Sequence, residues 1–217
     1  PEGTVPWNIE SWSFTYHGYV ISHMDDWTHC SWRGDAYGGR RASDLVNLNW
    51  HFPQGSAAGI FTRGVLLDAA PDGGWLEPGT AVTRSTLERL ERDHLDQPIG
   101  RGDVVFVRTG QTKAMRECVG GFSPSRGMPA CHWNVVEWLH EKQVAALGSD
   151  SANDCMPVLV KGFANPIHVL CLVGMGMPLL DNLDLEQLAT VCRSKARYSF
   201  AVSICPLVLQ GGTGSPV

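Results

Sequence analysis

The chain has 217 residues, with 17 Lys and Arg against 22 Asp and Glu, which gives a formal net charge of −5. A domain usually has roughly 100–200 residues, so this length suits a single core. Nucleic-acid binding requires a basic surface, but the longest basic run is Arg40-Arg41. A membrane span needs roughly 18 consecutive apolar residues, and no stretch reaches that length. We therefore expect neither nucleic acid nor a membrane as a partner.

The seven cysteines are widely spaced and include no C-x-x-C pair. An odd number without metal-type spacing favours reduced thiols over a disulfide framework or a structural zinc cluster. This pattern predicts a cytoplasmic protein. The chain begins at Pro1 and ends at Val217, and we expect terminal segments to be missing from it. The lack of a signal peptide therefore carries little weight.

Strands and helices are predicted to interleave along the chain. Apolar and β-branched stretches predict strands at residues 63–68, 103–108, 144–148 and 198–209. Helical spacing of apolar residues predicts helices at residues 83–93, 135–142 and 185–192. Thr83 or Ser85 is expected to cap the first helix. No repeat and no strict βαβ rhythm are present, which predicts one α/β or α+β domain over residues 1–217, with a mixed sheet.

Side chains of the kind that bind metals are densest at residues 22–29. His23 and Asp25 are two residues apart, so they point the same way on an extended segment, and His29 can return to the same centre after a turn. Imidazole and carboxylate are the ligands of a catalytic Zn²⁺ or Mn²⁺ site. The alternative is a polar loop with surface histidines. The glycine-rich stretch at residues 33–39 is typical of pocket loops and favours the metal site.

Further motifs accompany Ser22-His23-x-Asp25-x-x-x-His29 in a fixed order. They lie at residues 63–68, 102–110, 138–141, 146–150, 166–168, 181–183 and 211–217. Together they resemble the metal-dependent cyclase family, which includes kynurenine formamidase and isatin hydrolase and has a T-H-x-D-x-x-x-H core. The resemblance covers residues 14–217. Each motif alone is weak, but their common order makes the resemblance specific.

The resemblance implies a swivelling β/β/α fold and a homodimer or homotetramer whose pockets lie near subunit contacts. It implies a hydrolase that opens a C–N or C–O bond of a small-molecule carbonyl substrate: a cyclic amide, a lactone or an N-formyl aromatic compound. By position, His23 and Asp25 match metal ligands, and His29 matches a ligand or acid–base histidine. His168 and Asp181 match later positions at the same metal site.

The chain departs from the family pattern beside this motif. Tyr19 stands where the formamidase branch has a ligand histidine, which favours a mononuclear site. The spacing of His17 is unsuited to a direct replacement. Asp26 stands where the family commonly has alanine. These changes are compatible with a hydrolase and leave the substrate open.

Four aromatic residues near the motif are predicted to bind the substrate, because an aromatic ring offers a large apolar face with one polar handle. They are Tyr19, Trp27, Trp32 and Tyr37. A core position is equally compatible with the sequence for the two tryptophans and Tyr37.

Each later site residue also has a structural alternative. His168 lies in an apolar run and could be a core histidine, and Asp181 could cap the helix that starts near Asp184. Asp150 follows a predicted strand, and a carboxylate that fixes a loop is the favoured interpretation.

The predicted mechanism uses a divalent metal held by His23, Asp25 and His168 as Lewis acid and source of hydroxide. His29 would move the proton, because an imidazole titrates near neutrality. The Gly-x-Ser-x-Gly motif of serine hydrolases is absent from the sequence. Two other functions remain open, namely small-molecule binding without turnover and a biosynthetic cyclase or dehydratase.

Overall fold

The computed structural model describes residue 3 and residues 7–47, 58–70, 73–117, 124–209 and 211–217. Its strands are β1 (His23–Asp25), β2 (Asp35–Ala36), β3 (Arg40–Arg41), β4 (Ile60–Asp68), β5 (Ala81–Val82), β6 (Val104–Arg108), β7 (Ala130–Cys131), β8 (Ala146–Ser149), β9 (Leu179–Asp181), β10 (Ser199–Ile204) and β11 (Gly214–Pro216). Its α-helices are α1 (Ala42–Asn47), α2 (Arg84–His94), α3 (Gln111–Glu117), α4 (Val135–Lys142), α5 (Pro166–His168) and α6 (Glu186–Lys195). A π-helix, Val169–Met175, continues α5.

Seven strands form one mixed sheet in the order β10-β4-β6-β8-β9-β1-β11. The four strands from β4 to β9 in this order are parallel. β10 is antiparallel to β4, and β1 is antiparallel to both β9 and β11. Parallel neighbours need long crossover connections, and the helices between successive strands supply them. The predicted α/β class with a mixed sheet is confirmed.

The sheet is covered by helices on both faces, because its parallel strands are apolar on both sides. Val65 and Leu67 of β4 belong to one apolar cluster, together with side chains of α2, α4 and the π-helix. Leu66, which points to the opposite face, belongs to a second cluster with Phe106 and side chains of α6. The alternation along β4 therefore divides the core into two layers around the sheet.

Most of the predicted elements form close to their expected limits. The helix Val135–Lys142 has the predicted bounds. Thr83 caps α2, because its hydroxyl accepts a hydrogen bond from the backbone N–H of Thr86. The last predicted strand is shorter than expected and ends at Ile204. Beyond it, the backbone N–H of Leu207 donates to the side-chain hydroxyl of Ser215 on β11.

The described residues also bear on the expectations about the cysteines and about a membrane span. Their cysteines are free thiols, and Cys118 lies outside the described residues. Within the part of the chain that the structure describes, no helix is long and apolar enough to cross a membrane.

A buried ion cluster joins α6 to the ends of β4 and β6. The Arg108 side chain is fully buried, and its Nη1 donates to Asp68 Oδ1 over 2.8 Å. Its Nε and Nη2 donate to the carboxylate of Glu186 over 2.8 and 2.9 Å. Arg193 also donates to Asp68. A buried arginine is tolerated here because most of its donors have a carboxylate partner.

We expect Arg108→Met to reduce the free energy of unfolding by about 3 kcal/mol, because Glu186 loses its partner while Arg193 still neutralises Asp68. The matched control is Arg89→Met, on an exposed arginine of α2, which should change it by less than about 0.5 kcal/mol. Urea unfolding of both variants provides the measurement. Equal losses would show that the buried cluster does not hold α6 to the sheet.

Candidate metal centre

The candidate site is built on β1, a short strand between β9 and β11. Side chains alternate along a strand, so His23 and Asp25 point to one side while Met24 enters the core between them. His23 pairs directly with Asp181 of β9, which brings a second carboxylate to the same end of the sheet. The strand pairing therefore joins two parts of the motif that are far apart in the sequence.

The carboxylate of Asp25 is surrounded by four imidazoles and is only 1% exposed. Its Oδ1 lies 3.0 Å from His17 Nδ1 and 3.5 Å from His23 Nε2. Its Oδ2 lies 3.4 Å from His168 Nε2 and 3.8 Å from His29 Nε2. Asp25 is thus the centre on which the surrounding imidazole nitrogens converge.

Neither carboxylate oxygen of Asp25 accepts a hydrogen bond of normal geometry from the described residues. A buried, ionised carboxylate without such a partner is costly, and a cation offsets that cost. Potential ligand atoms lie within 4.8 Å of one another in two groups that share Asp25. One group is His17, His23 and Asp25, and the other is Asp25, His168 and Asp181. These nitrogen and oxygen donors fit Zn²⁺ or Mn²⁺.

The first of these groups contains His17, whose spacing looked unsuited to the site. Its segment has no regular secondary structure, and the chain turns at Gly18, where φ is +142°. The turn brings the His17 ring to Asp25, while Tyr19 lies at the wall of the cavity. His29 is a member of neither group, and its Nε2 is the farthest of the four nitrogens from Asp25.

Asp154 orients His168. Its carboxylate accepts a hydrogen bond from His168 Nδ1 over 2.6 Å and from the backbone N–H groups of Ile167 and His168. With the Nδ1 proton held by Asp154, the Nε2 atom points to Asp25 and Asp181. Such carboxylate–histidine pairs are typical of metal sites. Asp154 was not predictable from the sequence, because it lies in no motif and its pairing with His168 depends on the fold.

Other groups fix the remaining imidazoles. His23 Nδ1 lies 2.7 Å from the carbonyl oxygen of Ile21, so it donates there and leaves the Nε2 lone pair facing Asp25. The Thr213 hydroxyl lies 3.4 Å from both His17 Nε2 and His29 Nδ1. If it accepts an N–H from each ring, the other nitrogen of each ring carries a lone pair toward Asp25. The two rings are stacked, with centroids 4.0 Å apart.

Asp181 presents one carboxylate oxygen to the site. Asn153 donates to Asp181 Oδ1 over 2.5 Å, which leaves Oδ2 facing His168. Asp181 does not cap α6, because the Glu186 N–H donates to the side chain of Asp184 instead.

Asp150 fixes a loop, as expected. Its carboxylate accepts hydrogen bonds from the backbone and hydroxyl of Thr109 and from the backbone of Gly110, at the start of α3. Burial raises the pKa of this carboxyl to about 6, although these hydrogen bonds lower it. It therefore ties the end of β8 to the end of β6 and does not line the site.

The charges of the site follow from burial and from neighbouring groups. Burial raises the pKa of Asp25, but the His168 and His17 rings lower it by more, so the carboxyl stays ionised. Burial lowers the pKa of His29, although Asp25 opposes this change. His29 is therefore neutral at pH 7 and able to accept a proton.

A cavity of about 140 Å³ opens beside Asp25. Of the four aromatic residues expected to bind the substrate, Tyr19 lines it. Trp27, Trp32 and Tyr37 are not among the residues of its wall; Trp32 packs on Phe163, and Trp27 meets Tyr37 edge-on. The wall consists of Gly18, Tyr19, His23, Asp25, His29, Met128, Ala152, Asp154, Met156, Asn165, His168 and Asp181.

The fold and the cluster define an α/β domain with a candidate metal site at one end of its sheet. The model of the Cyclase family, described as "Putative cyclase", matches residues 3–153, which is more than half of the chain. The chain belongs to this family, as its motifs predicted. No curated protein sequence matches it.

Solved structures are similar over most of the chain. A structure described as a novel cyclase is 25% identical with a TM-score of 0.74, over 90% of this chain and 66% of the other, so the chain spans slightly less than two thirds of that relative. Isatin hydrolase A from Labrenzia aggregata, bound to benzyl benzoate, is 19% identical with a TM-score of 0.61, over 90% and 70% of the chains. A potential metal-dependent hydrolase with cyclase activity is 17% identical with a TM-score of 0.56, over 94% and 77%. The last two similarities show a shared fold.

We expect Asp154→Asn to weaken zinc binding by about 10–100-fold, the usual effect of removing a partner of a ligand histidine. An amide N–H₂ turned toward His168 would force the ring proton onto Nε2, the atom that faces the other ligands. Asp93→Asn, at an exposed position of α2, is the control and should bind zinc like the wild type. Competition with a chromogenic chelator measures both, and unchanged affinity in Asp154→Asn would contradict the role of Asp154.

Proposed function

We propose that the protein is a metal-dependent hydrolase that opens a C–N or C–O bond in a small cyclic amide, a lactone or an N-formyl aromatic compound. The main support is the buried Asp25 carboxylate, which has imidazoles on both oxygens and no hydrogen bond from the described residues. Membership of the Cyclase family and the hydrolases among similar structures support the reaction class. The cytoplasmic location and the homodimer or homotetramer stay predictions.

The proposed metal ligands are His23, Asp25, His168 and Asp181, with His17 added by the geometry. A divalent ion held there would polarise the substrate carbonyl and lower the pKa of a bound water toward about 7. The protein's contribution is to present these side chains in fixed orientations. Asp25 is shared by the two ligand groups, so its loss should affect the site more than the loss of any single histidine.

His29 is the proposed acid–base residue. It lies in the cavity wall, is neutral at pH 7, and its Nε2 is 3.8 Å from Asp25 Oδ2. If its Nδ1–H donates to the Thr213 hydroxyl, the Nε2 lone pair can take a proton from water and return it to the leaving nitrogen or oxygen. The same residue therefore serves both halves of the hydrolysis.

The cavity determines how the substrate approaches these groups. Met128, Met156 and Ala152 contribute apolar surface to its wall, and Tyr19 contributes an aromatic ring. Apolar wall of this kind excludes water from the reacting carbonyl and strengthens electrostatic contacts in the site. A volume of about 140 Å³ holds the reacting group of a small substrate.

We expect Asp25→Ala to abolish zinc binding, because both ligand groups lose their common member. His17→Ala is the matched comparison and should keep the ion held by Asp25, His168 and Asp181. Elemental analysis of the purified variants, after reconstitution with zinc and gel filtration, gives the metal content per chain. Wild-type content in Asp25→Ala would refute the ligand assignment.

We expect His29→Ala to keep its metal but lose turnover by about 10²–10⁴-fold, the contribution of a general acid–base residue. His140→Ala, an exposed histidine on α4, is the control and should leave the rate unchanged. Both are assayed on a panel of N-formylaniline, isatin and a small lactone. Full activity of His29→Ala on a substrate that the wild type cleaves would exclude His29 from the reaction.

A further inference from the structure

A second cavity, of about 300 Å³, also has His29 in its wall. Its described walls are the segment 28–31, the residues Ala42 and Leu45 of α1, and the turn 211–213. His29 also lines the cavity that contains Asp25. His29 therefore belongs to the walls of both cavities.

The first cavity is small for a complete substrate. Binding pockets for small organic molecules usually measure roughly 300–1,000 Å³, whereas the cavity beside Asp25 measures about 140 Å³. A molecule whose carbonyl reacts near Asp25 needs further space for the rest of its structure. The second cavity, which shares His29 with the first, offers this space.

The second cavity is uncharged. No Asp, Glu, Lys or Arg is among the described residues that line it, and its polar side chains are hydroxyls, one thiol and the His29 imidazole. Leu45 and Ala42 provide apolar surface from α1. An ammonium or carboxylate placed there would lose its hydration without gaining a charged partner, which is costly.

Asp26 connects two walls of the second cavity. Its carboxylate accepts a hydrogen bond from the Thr28 hydroxyl over 3.0 Å, and its backbone N–H donates to the carbonyl oxygen of Thr213 over 3.0 Å. Its own carbonyl oxygen accepts the N–H of His29 over 2.8 Å. The relative position of the segment 28–31 and the glycine-rich turn is therefore fixed before a ligand arrives, which favours binding.

We propose that the second cavity binds an uncharged, ring-sized substituent of the substrate, whose reacting carbonyl lies on the Asp25 side of His29. As a statement about substrate, this rests on the proposed hydrolase function; as a binding site, it is independent of turnover. The second cavity selects substrates with a neutral phenyl or alkyl group over those that carry an ammonium or a carboxylate group at that position.

Benzyl alcohol is the test probe, compared with benzoate and benzylamine, which carry charges on the same ring. In a methyl NMR titration of the wild-type protein, we expect benzyl alcohol to shift the methyl signals of Ala42 and Leu45. Its Kd should be at least about tenfold lower than those of the charged probes, since tenfold corresponds to about 1.4 kcal/mol. This measurement needs no variant.

Ala42→Phe fills the cavity from the start of α1 and should weaken benzyl alcohol binding by at least about tenfold. Ser43→Phe adds the same ring at the neighbouring, exposed position and should leave Kd within about twofold of the wild type. Ala42→Leu replaces the larger variant if that one does not fold. Equal binding in the Ala42 and Ser43 variants, no binding by the wild type, or shifts confined to Met128 and Met156 would overturn the proposal.

The two proposals fail separately. Binding of benzyl alcohol at Ala42 and Leu45 without hydrolysis of any substrate in the panel would keep the binding site and remove the hydrolase. Hydrolysis of N-formylaniline together with no methyl shift at Ala42 and Leu45 would keep the hydrolase and remove the second cavity as its substrate site.

Discussion

The Asp25 carboxylate is the group on which the whole site depends. It is buried, ionised and without a hydrogen bond from the described residues, and imidazole nitrogens approach both of its oxygens. Burying such a charge is costly unless a positive charge accompanies it. The position of β1 between two antiparallel neighbours holds Asp25 at that place, next to Asp181 of β9.

The residues around Asp25 fix which nitrogen of each imidazole faces inward. Asp154 and the Ile21 carbonyl oxygen hold the outward nitrogens of His168 and His23, so the inward nitrogens of these two rings face Asp25 as potential ligands. This arrangement separates the roles of chemically similar side chains. His168 is held by carboxylates, whereas His29 stays neutral at the boundary of two cavities.

Local patterns predicted the parts of the structure that depend on neighbouring residues. The alternation of His23 and Asp25, the helix at residues 135–142 and the cap at Thr83 each follow from short-range periodicity or capping. The part of the site that depends on tertiary structure was not predictable in this way. His17 reaches Asp25 through an irregular segment. Asp154 and Thr213 contact histidines that are distant from them in the sequence. The tryptophans near the motif pack outside the Asp25 cavity. The sequence could not show this, because aromatic composition does not determine which way a side chain points.

The metal site at Asp25 is tested most directly by diffraction from crystals of the zinc-loaded protein at the zinc absorption edge. We expect an anomalous peak bonded to the Asp25 carboxylate, with an imidazole of His23 or His168 as a further ligand. Crystals that contain zinc elsewhere and show no anomalous peak beside Asp25 would refute the metal site.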